Sequence, residues 1–184
     1  MNAFLIVFLI FIAIILILVG LFLITGLGGS PYVPTERKDL EEVFTKLCPL
    51  KKTDLLIDLG AGDGIILEAA ARHGARAIGI EINPVLVFLT NRRLFRTLKN
   101  RRATMKCHDI YQYKFPQETT VVYAYLSDFM MPKAFAHAQD EADRLGKPLK
   151  FIANAFYLKN HDAVKQVGQY YLYELKPKTG SKTS

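Results

Sequence analysis

The polar and apolar positions change period several times along the chain, and each change marks an element. Ala3 to Ile24 contains no charged residue, and Phe, Ile and Leu cover every helical face. Gly26 to Ser30 reads as a flexible hinge, and the prolines at 31 and 34 make the next stretch extended and stiff. Thr35 is a candidate helix cap, with Leu40, Val43, Phe44 and Leu47 at helical spacing before Pro49 stops the helix. Short apolar runs then alternate with amphipathic stretches. The pattern predicts strands over 52–59, 76–81, 103–107, 120–125 and 149–153. It predicts helices over 65–73, from Asn83-Pro84 to about Lys99, and over 131–145. The inner face of the helix after Asn83 is read as Val87, Phe88, Leu94, Phe95 and Leu98. Residues 163–167 and 169–175 read as a hairpin around Gly168. Alternation of this kind predicts an α/β fold, a doubly wound parallel sheet with helices on both faces. The expected organisation is an anchor at 1–25, a linker and N-terminal helix at 26–48, an α/β domain at 49–176 and a disordered tail at 177–184.

The N-terminal block decides whether the chain is expected at a membrane. Twenty-two residues at 1.5 Å each span about 33 Å, against about 30 Å for a bilayer core. A cleaved signal peptide wants a basic start and a shorter apolar run; no Lys or Arg precedes this one, although Gly26, Gly28, Gly29 and Ser30 resemble a cleavage site. A buried core helix is disfavoured because no face is polar. The expectation is therefore a single-pass transmembrane helix, with the following domain on the cytoplasmic or matrix side, since Arg37 and Lys38 lie after the run.

Composition narrows the picture further. The formal net charge of +7 suits an anionic partner, membrane phosphate or nucleic acid. Arg92, Arg96 and Lys99 fall on one helical face, thickened by Arg93, Arg101 and Arg102; this reads either as a solvated face or as a contact for anionic lipid head groups. Two cysteines, Cys48 and Cys107, make no disulfide framework and point to a reducing compartment. His73, His108, His137 and His161 show no metal spacing and no nucleophile partner, so no metal site is expected and no catalytic residue is assigned.

Candidate chemistry concentrates at 55–64, Leu-Leu-Ile-Asp-Leu-Gly-Ala-Gly-Asp-Gly, an apolar strand turning through glycines into a helix. A backbone without Cβ approaches a ligand closely, and the helix start offers unpaired N–H donors. The dinucleotide pattern G-x-G-x-x-G requires glycine at position 65, where this chain has Ile65. A second acid, Glu81, ends the next strand, placed to accept hydrogen bonds from a ribose diol.

These residues resemble the first motif and ribose acid of the seven-strand, class I S-adenosylmethionine-dependent methyltransferases. The resemblance implies a Rossmann-like doubly wound sheet, S-adenosyl-L-methionine as cofactor, and cofactor contacts from Asp58, Gly60, Ala61, Gly62, Gly64, Glu81 and Ile82. It further implies Asp109 near the adenine amino group and Ser127 at the fourth strand's end. The Asn-Pro-Pro-Tyr type sequence of many nucleic-acid amino methyltransferases is absent; Tyr125-Leu-Ser-Asp128 stands there, which makes nucleic acid a less favoured partner. The apolar anchor, Pro31-Tyr-Val-Pro-Thr35, Asp58–Gly64 and Glu81-Ile-Asn-Pro84 together are similar to the membrane-anchored protein-lysine methyltransferases that act on the c ring of ATP synthase or the adenine nucleotide translocase. That similarity implies a protein substrate with an acceptor lysine, in or beside a membrane. Tyr32 and Thr35 then read either as part of a lid over the cofactor or as a rigid linker. RNA or a lipid-soluble small molecule as acceptor, and a non-catalytic scaffold of this fold, stay open as alternatives.

Overall fold

In the computed structural model, which describes residues 3–27, 37–98 and 102–178, the short apolar runs become the strands of one sheet. The strands are β1 (Leu55–Leu59), β2 (Arg76–Glu81), β3 (Ala103–Cys107), β4 (Val121–Ala124), β5 (Leu149–Asn154), β6 (Lys165–Val167) and β7 (Tyr170–Leu175). Their order is β3-β2-β1-β4-β5-β7-β6. β1 to β5 pair in parallel, while β7 runs antiparallel to both β5 and β6. The sheet is therefore mixed, and its parallel part ends where the hairpin begins. Chain order reverses at β1, which has β2 on one side and β4 on the other. In open α/β sheets ligands bind at the carboxyl end of such a switch point.

The helices of this unit are α2 (Arg37–Glu42), which continues into a π-helical turn at Val43–Leu47, α3 (Ile65–Arg72), α4 (Pro84–Thr97) and α5 (Met131–Leu145). β1 is buried at every position, as a strand covered on both faces must be. Ile57, Leu59, Val122 and Phe151 pack with Phe135 and Ala138 of α5. Leu56, Tyr123 and Ile152 point to the other face, against Phe44, Leu67 and Leu94. Period-two alternation thus divides one sheet between two cores. Asn83 caps α4, its Oδ1 accepting from the N–H of Val85 at 3.0 Å and of Leu86 at 3.3 Å, and Pro84 takes the first helical position.

Two expectations are corrected here. Phe88 and Phe95 are each 64% exposed; the buried positions of α4 are Thr90 and Leu94. The helix lies over β2 and the edge strand β3, so only a narrow stripe of it meets the sheet. The larger correction concerns the membrane-spanning anchor. Residues Met1–Val33 form a unit separate from Pro34–Ser184, and it contains α1, Ala3–Leu27, an apolar helix. Among the described residues no helix is long and apolar enough to cross a membrane. The expectation of an anchor rested on the apolar run counted along the sequence, and it is not carried further. The Pro31–Thr35 segment, with Tyr32 and Thr35, lies outside the described residues, as do Lys99 and Arg101 of the expected basic patch.

Candidate active site

The site begins where β1 runs out. Asp58 is 2% exposed, and its Oδ2 has no hydrogen-bond partner. Burial raises its pKa well above the ordinary aspartate range, and the nearby Glu81 and Asp63 add to the shift. A carboxyl placed this way, in a field already negative, leaves an open hydrogen-bonding position for a ligand that brings polar groups or positive charge.

The glycine turn beside it is held in place by the backbone of β2. The N–H groups of Gly60 and Ala61 both donate to the Ile80 carbonyl, at 2.9 and 3.1 Å. Glu81 ties two loops together: its Oε2 accepts from the Gly62 N–H at 3.1 Å and its Oε1 from the Asn83 N–H at 3.0 Å. Each of these oxygens has a further lone pair. Gly64 sits at φ +71° with a Thr90 methyl 2.7 Å from where a Cβ would stand, so both backbone and space demand glycine there. A Cβ on Gly60 would lie 3.0 Å from Leu126, and Gly60 itself is exposed. The result is a surface lined by backbone, open above Gly60 and acidic below.

Ile82 follows Glu81 with 68% of its surface exposed, an apolar shelf at the rim. Asp109 lies beside it at the end of β3, because the His108 N–H donates to the Glu81 carbonyl at 3.0 Å. Its carboxylate closes a local turn, accepting from the Tyr111 N–H at 2.8 Å and the Gln112 side chain at 3.0 Å. Ser127 is half-buried past β4, and its carbonyl accepts from the N–H groups of Met130 and Met131 at the start of α5. The structure therefore gathers Asp58, Gly60, Ala61, Gly62, Gly64, Glu81 and Ile82 around one turn. Asp109 and Ser127 flank it on either side.

Several supporting residues escaped the sequence reading. Arg93, assigned there to a basic patch, donates to the Asp63 carbonyl at 2.6 Å and pairs with Glu68 on α3. Arg102, from the same patch, donates to the Gly74 carbonyl at 2.8 Å. Burial pushes Glu68 upward, but hydrogen bonds from Arg72 and then Arg93 outweigh it and hold its pKa below the usual glutamate range. Gly79, in mid-strand, has the Ala61 Cβ 2.6 Å from its own missing Cβ position. A lone glycine inside a strand marks such close approach, so a signal for it was present in the sequence. The other three histidines are engaged elsewhere: His73 with Glu41 and the Ala69 carbonyl, His137 with the Tyr113 carbonyl, and His161 against the Phe135 ring.

Comparison with known proteins agrees with this geometry. The chain is 37% identical over 93 residues to the Homo sapiens lysine N-methyltransferase named for the c-type subunit of ATP synthase, covering 50% of this chain and 39% of that protein. The protein of the same name in Caenorhabditis elegans is 30% identical over 99 residues, covering 50% of this chain and 52% of that one. The chain thus spans about two fifths to one half of the length of these relatives. Among solved structures, an RNA methyltransferase from Salinibacter ruber in complex with S-adenosyl-L-homocysteine superposes with a TM-score of 0.69 at 25% identity, over 83% of this chain and 99% of that one. The geranyl diphosphate C-methyltransferase of Streptomyces coelicolor shares the fold at a TM-score of 0.53 and 18% identity, over 71% of this chain and 49% of that one. A family match runs over residues 58–165, from the buried aspartate to β6. That is more than half of the chain and holds the whole glycine turn, so the chain belongs to the ANTKMT methyltransferase domain family.

Proposed function

We propose that the chain transfers a methyl group from S-adenosyl-L-methionine to the side-chain amine of a protein lysine. The observation that carries this reading is Asp58, a buried carboxyl with one oxygen unpartnered, set beneath a backbone-lined turn. S-adenosylmethionine supplies an electrophilic methyl on a positively charged sulfonium. Asp63 and Glu81, the two acids that act on Asp58, give the pocket a negative field that favours such a cation. Glu81, already fixed by two backbone donors, offers its remaining lone pairs to a ribose diol. Ile82 gives a planar base an apolar face, and Asp109 stands beside it with its carboxylate oriented by Tyr111 and Gln112. Gly60 and Gly62 let the backbone approach the bound group. Displacement at a methyl needs position and field more than a dedicated acid or base. A protein lysine as acceptor is supported by the names of the relatives that match this half of the chain.

Calorimetric binding of S-adenosylmethionine to the full chain tests the site. Asp58→Ala and Glu81→Ala are each expected to weaken it tenfold or more, a loss of about 1.4 kcal/mol. Unchanged affinity in both variants would falsify the assignment. Labelled methyl transfer into cell fractions tests the acceptor: label in protein, on lysine by mass spectrometry, is the expected result. Label in RNA would favour a second reading, for which the Salinibacter ruber structure and the net charge of +7 speak.

The same reading includes contact with anionic lipid head groups through α4. Exposed Val85, Phe88 and Leu89 share a stripe with exposed Arg92 and Arg96, the apolar-plus-basic pattern of a helix that lies on a membrane surface. Arg92→Glu with Arg96→Glu is expected to lower binding to phosphatidylserine vesicles at low salt, each charge contributing about 1 kcal/mol. Binding indifferent to both salt and charge reversal removes the idea.

A further inference from the structure

Among the described residues, four buried side-chain oxygens have no hydrogen-bond partner: Asp58 Oδ2, Thr119 Oγ1, Asn154 Oδ1 and Tyr170 Oη. Thr119 precedes β4, at the amino end of the sheet. The other three lie at the carboxyl end, on the face that carries α3. Buried polar groups are nearly always paired, and leaving one unpaired costs about 1–3 kcal/mol. Asp58 belongs to the cofactor site already described, whereas Asn154 and Tyr170 have no role in it.

Asn154 closes β5 and faces Tyr170 directly across the antiparallel ladder. It is fully buried, and Tyr170 is 3% exposed. The Asn154 amide donates to Tyr123 Oη at 3.0 Å, which holds the side chain and leaves the acyl oxygen over. The next residue, Ala155, has φ +64°, a left-handed conformation that turns the chain sharply after Asn154. The strand pairing places these groups relative to the cofactor turn. The last paired positions are Leu59 with Ile80, Leu59 with Ala124, and Ala124 with Ala153. One residue further on, a single row crosses the carboxyl edge: Glu81, Gly60, Tyr125, Asn154, Tyr170. Tyr125 is half-buried on this same face. With about 4.8 Å between strands, Asn154 stands about 10 Å from Gly60, and Tyr125 fills the column between them.

The two ends of this row differ in charge. The Glu81 end is acidic. The far end presents an amide and hydroxyls, with Asp39 the carboxylate near Tyr170. Burial, then the nearby Asp39, pushes the Tyr170 hydroxyl to about 12 against a smaller downward pull from the Gln169 side chain, so it stays neutral at physiological pH. Neutral oxygens suit a nucleophilic amine. They accept an N–H without stabilising the ammonium as a carboxylate does, so the lone pair stays available.

We propose that Asn154, flanked by Tyr125 and Tyr170, is the seat of the acceptor amine. Its acyl oxygen accepts an N–H and directs the nitrogen lone pair toward the Gly60 side of the row. The amine reaches the site neutral, having given its proton to water. Its lone pair forms the N–C bond as the S–C bond breaks, the bonding electrons stay on sulfur, and the extra proton on the methylated nitrogen leaves to water. This assignment rests on the methyl-transfer reading above and deepens it, since it makes a primary amine the group recognised.

Two nucleosides test it without an acceptor protein. Sinefungin carries a primary amine where the S-methyl group would be, and S-adenosylhomocysteine carries neither. Calorimetry on the full chain measures the ratio of their affinities. Asn154→Ala is expected to weaken sinefungin tenfold or more relative to S-adenosylhomocysteine, whose own affinity stays within about twofold. Asn154→Asp is expected to shift the ratio toward sinefungin, because the contact becomes charge-assisted. Tyr170→Phe is expected to move it about threefold the other way. A ratio unchanged in Asn154→Ala and Asn154→Asp overturns the assignment. Should Asn154→Ala fail to fold, as thermal melting would show, an unchanged ratio in the other two variants overturns it equally. Absence of binding by both nucleosides to the wild-type chain instead overturns the methyl-transfer reading on which it stands.

Discussion

Asp58 is buried with one oxygen unpartnered, and its pKa is raised by burial first and by Glu81 and Asp63 after it. A raised carboxyl pKa means that the folded chain keeps this proton at pH values where the unfolded chain has lost it. Its contribution to stability is therefore fully present below the unfolded value of 3.8 and is lost as pH rises through the folded value. Asp58→Asn removes the titration. The variant is expected to resist urea better than the wild type at pH 8, by on the order of 1–3 kcal/mol, with the advantage shrinking toward pH 4. Glu68 titrates with the opposite sign, because its pKa is lowered; it is common to both proteins and cancels in the difference. A gain independent of pH would refute the buried-charge account. The same variant is expected to lose cofactor affinity, the trade-off typical of a strained site.

Elements meet at the glycine turn through contacts too close for any side chain. Gly79 brings β2 within van der Waals reach of Ala61, and Leu67 of α3 lies 2.7 Å from its missing Cβ position. Gly79→Ala must push the turn, the helix or both outward. Overpacking of this kind costs about 1–3 kcal/mol. Thermal melting is expected to fall by roughly 2–4 °C per kcal/mol in a chain of this size, together with weaker S-adenosylmethionine binding. Gly168→Ala is a useful contrast: nothing lies within 4 Å of its Cβ position, and only its φ of +56° opposes the change. It should cost about 1–2 kcal/mol through backbone strain and leave cofactor affinity untouched. Equal effects on affinity from both glycines would contradict a specific role for the Gly79 contact.

The whole sheet has two ends to protect, and each is treated differently. On the β5 side, β7 and β6 fold back antiparallel and complete the cores with Tyr170, Leu172 and Tyr173. On the other side β3 is the edge strand, and Asn91 of α4 acts as a short substitute strand. Its Oδ1 accepts from the Met105 N–H at 2.8 Å and its Nδ2 donates to the Met105 carbonyl at 3.0 Å. An open edge invites pairing with another chain. Asn91→Ala is expected to lower stability by about 1–3 kcal/mol and to raise light scattering on mild heating. Stability falling without any change in scattering would mean that Asn91 secures α4 but does not guard the edge.

Local order along the chain was enough to set the elements of the α/β unit and the cofactor turn. The short apolar run ending at Asp58, the glycines at 60, 62 and 64, and the acid at Glu81 are local patterns, and a local pattern survives in one dimension. Ile65, standing where a dinucleotide site needs glycine, is legible in the same way. Burial is relational, and there the sequence misled. Phe88 and Phe95 look like core residues, but β2 and β3 cover only the stripe of α4 that holds Thr90 and Leu94. Arg93 looks like one charge of a patch until α3 and the turn come within its reach. The apolar N-terminal run looked long enough for a membrane when counted along the sequence, and the described helix carries no such span. Strand order decided the rest. Only the pairing of β1 with β4, β4 with β5 and β5 with β7 sets Asn154 in line with Glu81 and Gly60, across residues far apart in the chain. The proposed cofactor half of the site is thus written in local sequence, because one strand–turn–helix unit and the tip of the next strand supply it. The proposed acceptor half exists only once the sheet has closed.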